Sequence, residues 1–302
     1  MNAPVLGLQA RYLCIALLLS ATSAWATPGS SVVDRLQSGG KITIAHRESS
    51  VPFSYLDADK NPVGYAVDLC VKIAEAVAKK VKAKETGVNF FMVSPANRIS
   101  TIETGKADME CGSTTNNAER RQKVAFTVSH FITGARMLVR ADSPAERIED
   151  LVGKKLVSTK GTTPLKAIES ANRERLLGLT IIEAPDHAKA IDMLEKGEAD
   201  AFVMDDVLLY GLAAGRPNPK ALKVVGKFLT TEPLAIMLPK NDPEFKKLVD
   251  NEMKRLINSR EIYAIYDKWF TKPIPPNNAV LNLPPNYLLR DFWKYPTDVV
   301  PF

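Results

Sequence analysis

Strands and helices alternate along most of this chain, and that alternation restricts the fold more than any other feature of the sequence. The run KITIA (41–45) predicts a strand, and apolar residues at helical spacing predict a helix over 67–84. Further along, VNFFMV predicts a strand, RISTIET a helix that ends at Gly105, and ADMECG a third strand. Because crossover helices join parallel strands, the pattern predicts an α/β fold built on a parallel sheet.

The same pattern occurs twice. The segment TIETGKADMECGSTT, from Thr101, is matched by MLEKGEADAFVMDDV, from Met193. In each, a glycine is predicted to end a helix in a left-handed cap just before an apolar strand. The spacing between Gly105 and Gly197 is too long for a solenoid repeat, so it indicates two α/β lobes of similar construction.

Residues 1–26 have the features of a cleaved secretory leader. Arg11 precedes a short apolar run (12–19), and Ala24-Trp25-Ala26 matches an A-x-A cleavage site. A membrane anchor needs about 20 apolar residues in a row, which this run does not reach. Cys14 precedes most of the run, so lipid attachment is not expected either. We expect a signal peptide and a soluble, secreted mature protein.

The composition limits the class of partner. With 302 residues, 45% hydrophobic and 25% charged, the chain can bury a core large enough for two domains. Its formal net charge of +6 is mild, and the basic residues are dispersed among acids. Nucleic-acid binding requires a clustered basic stripe, so no nucleic acid is expected as a partner, whereas small anions remain compatible.

Two cysteines, Cys70 and Cys111, remain after the leader. Cys70 lies on the apolar face of a predicted helix and Cys111 at a strand end. An oxidising compartment permits a disulfide, but only if the two Cα atoms approach within about 7 Å, which sequence does not fix. We expect two buried free thiols. The sequence has no CxxC or HxxxH spacing, so no metal site is expected.

In open α/β sheets, ligands bind at the carboxyl ends of strands, and the loop ECGSTTNNAERR (110–121) is placed there. Asn116, with Glu119 three residues later, resembles a capping box and predicts the start of a helix. The free N–H groups and positive dipole end of that helix, together with Arg120, would receive a carboxylate-sized anion. The alternative is a capped surface helix with a solvated arginine.

A second helix start of this kind follows another strand. In GTTPLKAIES (161–170), Pro164 suits the first helical position, so Thr163 before it is predicted to be the cap. If the two lobes face each other, these two helix starts can close on one ligand.

Two acids follow the apolar run AFVM. Adjacent residues of a strand point to opposite faces, so Asp205 and Asp206 would not share a proton. One of them facing the cleft would bind an ammonium group. An anion receptor beside an ammonium receptor suits an α-amino acid.

Seven ordered stretches resemble those of the periplasmic glutamate/aspartate-binding proteins of ABC transporters: HRESSVPFSY, NRI, ECGSTTNNAER, GTTP, PDH, MDD and YDKWFTKPIPP. The similarity runs over about 33–276. It implies the type II periplasmic-binding-protein fold, an α/β fold with two lobes joined by a two-segment hinge. Lobe 1 would comprise 27–131 and 234–302, and lobe 2 would comprise 132–233, with crossings near 131–133 and 229–233.

Transferred residue by residue, the resemblance implies a site for an acidic amino acid. It assigns the α-carboxylate to Arg120, Thr115 and Thr163, the α-ammonium to Ser113 and Asp205, and the side-chain carboxylate to Arg47, Arg98 and His187. Arginine suits carboxylates because its planar fork donates two parallel hydrogen bonds. A binder of neutral amino acids needs one such clamp, so the surplus arginines indicate a second carboxylate.

One position departs from the family pattern. Relatives usually place a hydroxyl residue three positions before the NRI arginine, where this chain has Pro95, with Ser94 adjacent. One hydrogen bond to the side-chain carboxylate would be lost, which leaves the preference between glutamate and aspartate open.

The resemblance implies a periplasmic monomer that captures L-glutamate or L-aspartate between its lobes and delivers it to an ABC transporter membrane permease. No cofactor and no enzymatic activity are expected. The alternative on the same fold is an exported cyclohexadienyl or arogenate dehydratase, which needs an acid or base at the leaving group; Glu48, Glu110 and His187 are the candidates. The surplus arginines argue against it. A sensor module would require a further domain or a membrane span, and neither is expected.

Overall fold

The computed structural model describes residues 31–299 of the chain. The predicted signal peptide (1–26), including Cys14 and the Ala24-Trp25-Ala26 cleavage site, lies outside the described residues, so its cleavage stays a prediction. Within 31–299, no helix combines the length and the apolar character that crossing a membrane requires.

The α-helices of the described part are, in chain order, Val32–Gln37 (α1), Tyr65–Lys80 (α2), Arg98–Glu103 (α3), Thr163–Glu174 (α4), His187–Glu195 (α5), Asp206–Ala214 (α6), Pro243–Asn258 (α7), Glu261–Phe270 (α8) and Tyr287–Phe292 (α9). Short 3₁₀ helices occur at Arg120–Gln122, Ile148–Leu151 and Pro219–Ala221.

The strands are Ile42–His46 (β1), Ser49–Ser50 (β2), Ser54–Leu56 (β3), Pro62–Val63 (β4), Val88–Met92 (β5), Met109–Glu110 (β6), Val124–Phe126 (β7), Phe131–Thr133 (β8), Ala135–Arg140 (β9), Lys155–Thr159 (β10), Thr180–Ala184 (β11), Ala201–Asp205 (β12), Leu222–Val225 (β13), Glu232–Leu234 (β14) and Met237–Pro239 (β15).

Two five-stranded sheets form the centres of two lobes. The sheet of lobe 1 has the order β5-β1-β6-β15-β7, and that of lobe 2 has the order β11-β10-β12-β9-β13. The parallel pairing predicted for the strands that helices join is confirmed, since β1 pairs in parallel with β5 and β6, and β10 with β11 and β12. The sheets are mixed, however, because β15 and β9 run antiparallel to their neighbours. Both strands come directly after a segment that connects the two lobes: β9 follows β8, and β15 follows β14. The chain therefore enters each sheet from the end opposite to the one at which the helix-connected strands begin.

The two glycine caps predicted from the repeated pattern are confirmed. Gly105 and Gly197 follow α3 and α5 with φ of +70° and +73°, values that L residues with side chains rarely adopt. In both copies the amide after the glycine bonds back into the helix, at 3.0 Å from Lys106 N to Thr101 O and 2.9 Å from Glu198 N to Met193 O. Each glycine cap is followed by the next strand, β6 or β12, and that strand lies at the centre of its sheet.

A two-stranded antiparallel sheet connects the lobes. Strands β8 and β14 pair with Thr133 opposite Glu232 and Phe131 opposite Leu234. These are the two segments of the hinge, and they place both chain crossings side by side at one edge of the cleft. The lobe boundaries at 131/132 and 233/234 stay a prediction.

The expectation of two free thiols is wrong, because Cys70 and Cys111 form a disulfide, with Cα atoms 6.3 Å apart. Cys70 lies on the buried face of α2, and Cys111, which immediately follows β6, belongs to the same hydrophobic cluster. Sequence patterns place both residues in the core but do not give the distance between them. A link spanning 41 residues is expected to stabilise the fold by about 4 kcal/mol.

His130, directly before the first hinge strand, gives the fold a predictable pH dependence. It lies among aromatic rings, 5.6 Å from Tyr65 and 5.9 Å from Phe53, and neither ring nitrogen has a hydrogen-bond partner among residues 31–299. Burial lowers its pKa from 6.5 to about 3. Protonation on unfolding therefore reduces stability as the pH falls below 6.5, by about 2 kcal/mol at pH 5.

This prediction is tested by measuring the unfolding free energy of wild type and His130→Leu between pH 7 and pH 5. We expect the variant to lose less stability over this range, because leucine has no proton to bind. Equal losses in the two proteins would contradict the account.

Candidate functional site

All eight predicted site residues lie in segments at the carboxyl ends of strands, on both sides of the cleft. Lobe 1 supplies Arg47 after β1, Arg98 at the start of α3, and the loop after β6 with Ser113, Thr115 and Arg120; lobe 2 supplies Thr163, His187 and Asp205. Seven of the eight are buried and Thr163 is half-buried. The structure thus encloses an unusual number of polar and charged groups.

The helix predicted to start at Asn116 is not formed. The backbone of this loop pairs with the hinge instead: Thr115 bridges to Leu234, and Asn116 N donates to Pro233 O at 2.8 Å. Only one turn of 3₁₀ helix follows, and the backbone N–H of its first residue, Arg120, donates a 2.9 Å bond to Asn117 Oδ1. An anion that entered this side of the cleft would therefore meet side chains and not the N-terminus of an α-helix.

The second predicted helix start is present, with its cap one residue earlier than expected. Thr162 caps α4, its Oγ1 accepting a 3.3 Å bond from Leu165 N, and Thr163 is the first helical residue. The Thr163 hydroxyl is thereby free to reach across the cleft, 3.0 Å from Thr115 Oγ1, and to donate to Glu232 Oε2 at 2.7 Å.

Two arginines of lobe 1 converge on one carbonyl of lobe 2. Arg120 Nη2 donates to Gly161 O at 3.3 Å, and Arg98 Nη2 donates to the same oxygen at 3.4 Å. A 2.9 Å bond from Nη1 to Thr115 O fixes the Arg120 side chain on its own loop. The two guanidinium groups are therefore held close together near the N-terminus of α4.

The concentration of positive charge perturbs these arginines. Burial, followed by repulsion from Arg98, lowers the pKa of both Arg47 and Arg120 to about 9. Burial also lowers the pKa of Arg98. With a pKa of about 9, Arg47 and Arg120 remain protonated at neutral pH, so an anion entering the site would relieve their repulsion as well as gain hydrogen bonds.

The two adjacent acids separate as predicted. Asp206 begins α6 and accepts a 2.6 Å bond from the Thr133 hydroxyl at the hinge. Asp205 ends β12, is buried, and has no partner for Oδ1 in the described part of the chain. Burial first, and then repulsion from Glu232, raise the pKa of Asp205 well above its usual value. An ammonium group would supply the missing partner.

His187 is neutral in this setting. Burial, with Arg47 and Arg98 nearby, lowers its pKa well below 6.5. Its Nδ1 lies 2.8 Å from Thr159 Oγ1, whereas Nε2 has no partner within 31–299. When the threonine hydroxyl donates to Nδ1, Nε2 bears the proton and can donate to a carboxylate.

Two further acids belong to the site, although the sequence does not predict either of them as a ligand-binding residue. Glu110 and Glu232 are both buried, and they act on the charges of Arg98 and Arg120. Glu110 Oε2 accepts from Thr114 Oγ1 at 2.7 Å. Glu110 lies at the end of β6, a position that the sequence indicates, but the sequence suggests it only as a catalytic group. Glu232 lies in the hinge strand β14, and no sequence pattern indicates that it belongs to the site.

Unpartnered buried atoms indicate what the site can bind. Among the site residues named above, the atoms without a partner in the described part of the chain include donors on Arg47 (Nε, Nη1) and Arg98 (Nε) and acceptors on Asp205 (Oδ1) and Glu110 (Oε1). His187 Nε2 is also unpartnered there and can be either a donor or an acceptor. Leaving such groups buried without partners is costly. A zwitterion with one additional negative charge matches the set. No cluster of His, Cys, Asp or Glu suited to a metal ion occurs in 31–299.

Comparison with known proteins defines the class. Residues 42–272 match the family described as bacterial extracellular solute-binding proteins, family 3, and the chain belongs to this family. Its mixed sheets and paired hinge strands are those of the type II periplasmic-binding-protein fold, so that expectation is confirmed.

Among its relatives, the chain is 40% identical over 298 residues to the glutamate/aspartate import solute-binding protein of Salmonella typhimurium, covering 96% of this chain and 99% of the relative. It is also 40% identical to the L-glutamate/L-aspartate-binding protein of Pseudomonas aeruginosa, covering 94% of each. A solved ancestral amino acid-binding protein, described as a precursor of cyclohexadienyl dehydratase, aligns with a TM-score of 0.67 and 30% identity over 80% of this chain and all of that one.

Proposed function

We propose that this protein captures L-glutamate or L-aspartate between its lobes and delivers it to an ABC permease for import. The observation that supports it best is the set of buried unpartnered donors and acceptors, which come from both lobes and match an acidic amino acid. The full-length relatives named for these two ligands support the same assignment. Because those relatives are import binding proteins, the dehydratase alternative is set aside.

The roles follow the charges. Arg120, Thr115 and Thr163 bind the α-carboxylate, where the lobes already share a hydroxyl contact at 3.0 Å. Asp205 and Ser113 bind the α-ammonium.

At the other end of the ligand, Arg47, Arg98 and His187 bind the side-chain carboxylate, since their charges act on one another. Ser94, next to Pro95, accepts a 3.3 Å bond from Asn97 N through Oγ, which leaves its own hydroxyl proton available to donate.

Closure accounts for capture. The ligand contacts both lobes only when the cleft is shut, so its binding energy favours the closed form. The closed protein, acting as a monomer, then presents both lobes together to the permease. The exposed ion pair between Lys166 of lobe 2 and Glu119 of lobe 1, 2.6 Å long, is available only in that form.

The test is a thermal and calorimetric titration of leader-free protein verified to be free of ligand. Glutamate at 100 times its dissociation constant should stabilise the protein by about 2.7 kcal/mol, and glutamine at equal concentration should do little. If neither glutamate nor aspartate raises the melting temperature, the proposal is wrong.

A further inference from the structure

Two glycines of lobe 2 lie where its surface meets the backbone of lobe 1. Gly161 is the residue whose carbonyl receives Arg98 and Arg120, and a methyl group there would lie 2.9 Å from both the Ala96 Cα and the Pro95 carbonyl oxygen. Gly211 lies within α6, where a methyl group would lie 2.8 Å from the carbonyl carbon of Val51 and closer still to its oxygen. Both obstacles are backbone atoms, which cannot rotate away.

We infer that Gly161 and Gly211 are positioning residues for ligand capture: the missing side chains let the lobes close far enough for the two halves of the site to meet. The inference rests on the proposed function, because it is the ligand that draws the lobes together. Neither glycine touches the amino acid through a side chain, so neither would be found by searching for polar ligand-binding groups.

The contacts between the lobes have little tolerance for separation. The two arginine bonds to Gly161 O measure 3.3 and 3.4 Å, near the upper limit for an N–H···O bond. Carbon atoms in ordinary contact stay about 3.5–4.0 Å apart. A methyl group at Gly161 therefore forces the lobes apart by roughly half an ångström or more at this point. That displacement takes both arginine bonds beyond hydrogen-bonding distance.

Strain within lobe 2 must be separated from obstruction between the lobes. Gly161 has φ of +77°, so Gly161→Ala strains its own loop whatever its surroundings. Gly153 provides the matched control, because its φ is +73° and a methyl group there would meet no atom within 4 Å. Gly153→Ala thus has the same backbone strain without the contact across the cleft.

For Gly211 the two effects have opposite signs. Alanine is a better helix former than glycine, so Gly211→Ala should raise the melting temperature of the ligand-free, open protein while weakening ligand binding. Gly215, which ends the same helix, has no neighbour nearer than 3.5 Å for an added methyl group. Gly215→Ala is therefore the control for a substitution in α6 that leaves the cleft unobstructed.

The experiment is calorimetric titration with glutamate, with ligand-free melting temperatures and small-angle scattering, on wild type and the four variants. The apparent dissociation constant rises as the fraction able to close falls. We expect Gly161→Ala and Gly211→Ala to bind glutamate at least about tenfold more weakly than their controls and to lose its compaction of the molecule. Gly153→Ala and Gly215→Ala should stay within about twofold of wild type.

Equal affinities of Gly161→Ala and Gly153→Ala would overturn the inference for the first glycine, and those of Gly211→Ala and Gly215→Ala for the second. So would a ligand-free melting temperature far lower in Gly161→Ala than in Gly153→Ala, because the contact would then belong to the open fold. A wild type that does not bind glutamate contradicts the proposed function alone. The rate at which a carbodiimide cross-links Lys166 to Glu119, which pair between the lobes, reports closure without ligand; it is expected to be lower in Gly161→Ala than in Gly153→Ala, and equal rates would overturn the inference.

Discussion

Arg98→Ala is expected to weaken glutamate binding by roughly two to three and a half decades, because a buried carboxylate left without its partner costs about 3–5 kcal/mol and each 1.4 kcal/mol is tenfold. Glutamine, whose neutral amide gains much less from a cation, should lose far less. The ratio of the glutamate and glutamine affinities, measured by calorimetry, should therefore collapse.

The ligand-free protein provides the control for Arg98→Ala. Arg98 repels Arg47 and Arg120, whereas Glu110, Asp205 and Glu232 attract it, so removing this guanidinium has opposed effects on the empty site. We expect the ligand-free melting temperature to change little. If glutamate and glutamine instead weaken by the same factor, Arg98 supports the lobe or the common amino-acid head group, and its assignment to the side-chain pocket is wrong.

Arg120→Ala should have an effect as large but without selectivity. This arginine is assigned to the α-carboxylate, which glutamate, aspartate and glutamine share, so all three should bind at least about a hundredfold more weakly. The measurement is the same calorimetric series, with the three affinities compared as ratios to wild type.

The control for Arg120→Ala must account for the loop that this residue holds through Thr115 O. Arg121 serves this purpose, because it lies next in the chain and stabilises the same loop through a 2.8 Å bond from Nη1 to Asn116 Oδ1. Arg121→Ala should leave all three affinities near those of wild type. Comparable losses in both variants would mean that the loop, and not the Arg120 guanidinium, determines binding.

The sequence predicted those parts of the molecule that local patterns determine. The glycine caps after α3 and α5 follow from backbone geometry at single residues, and they locate the strand ends where Ser113 and Asp205 lie. The separation of Asp205 from Asp206 was predicted from strand alternation, but it arises because β12 ends at Asp205 and α6 begins at Asp206.

The remainder depends on segments distant in the chain. Asn116 and Glu119 have the spacing of a capping box, yet the hinge strand binds the Asn116 backbone N–H, to which the Glu119 side chain of such a box would have bonded. The buried acid Glu232 becomes part of the site only because β14 crosses beside α4. Antiparallel β9 and β15 likewise follow from the return of the chain through the hinge. No pattern within about ten residues contains this information.

Because Cys70 and Cys111 form a disulfide, the stability of the protein depends on whether its compartment is oxidising or reducing. The loop with Ser113 and Thr115 begins at Cys111, so the disulfide anchors that loop to α2. Cytosolic thiols stay reduced, and a contribution of about 4 kcal/mol is a large share of the 5–15 kcal/mol by which domains are usually stable. A chain whose two cysteines are still reduced is therefore looser than the disulfide-bonded protein. On the proposed function, a newly made chain in the cytosol would bind little of the cell's own glutamate, and full binding capacity would develop only after export.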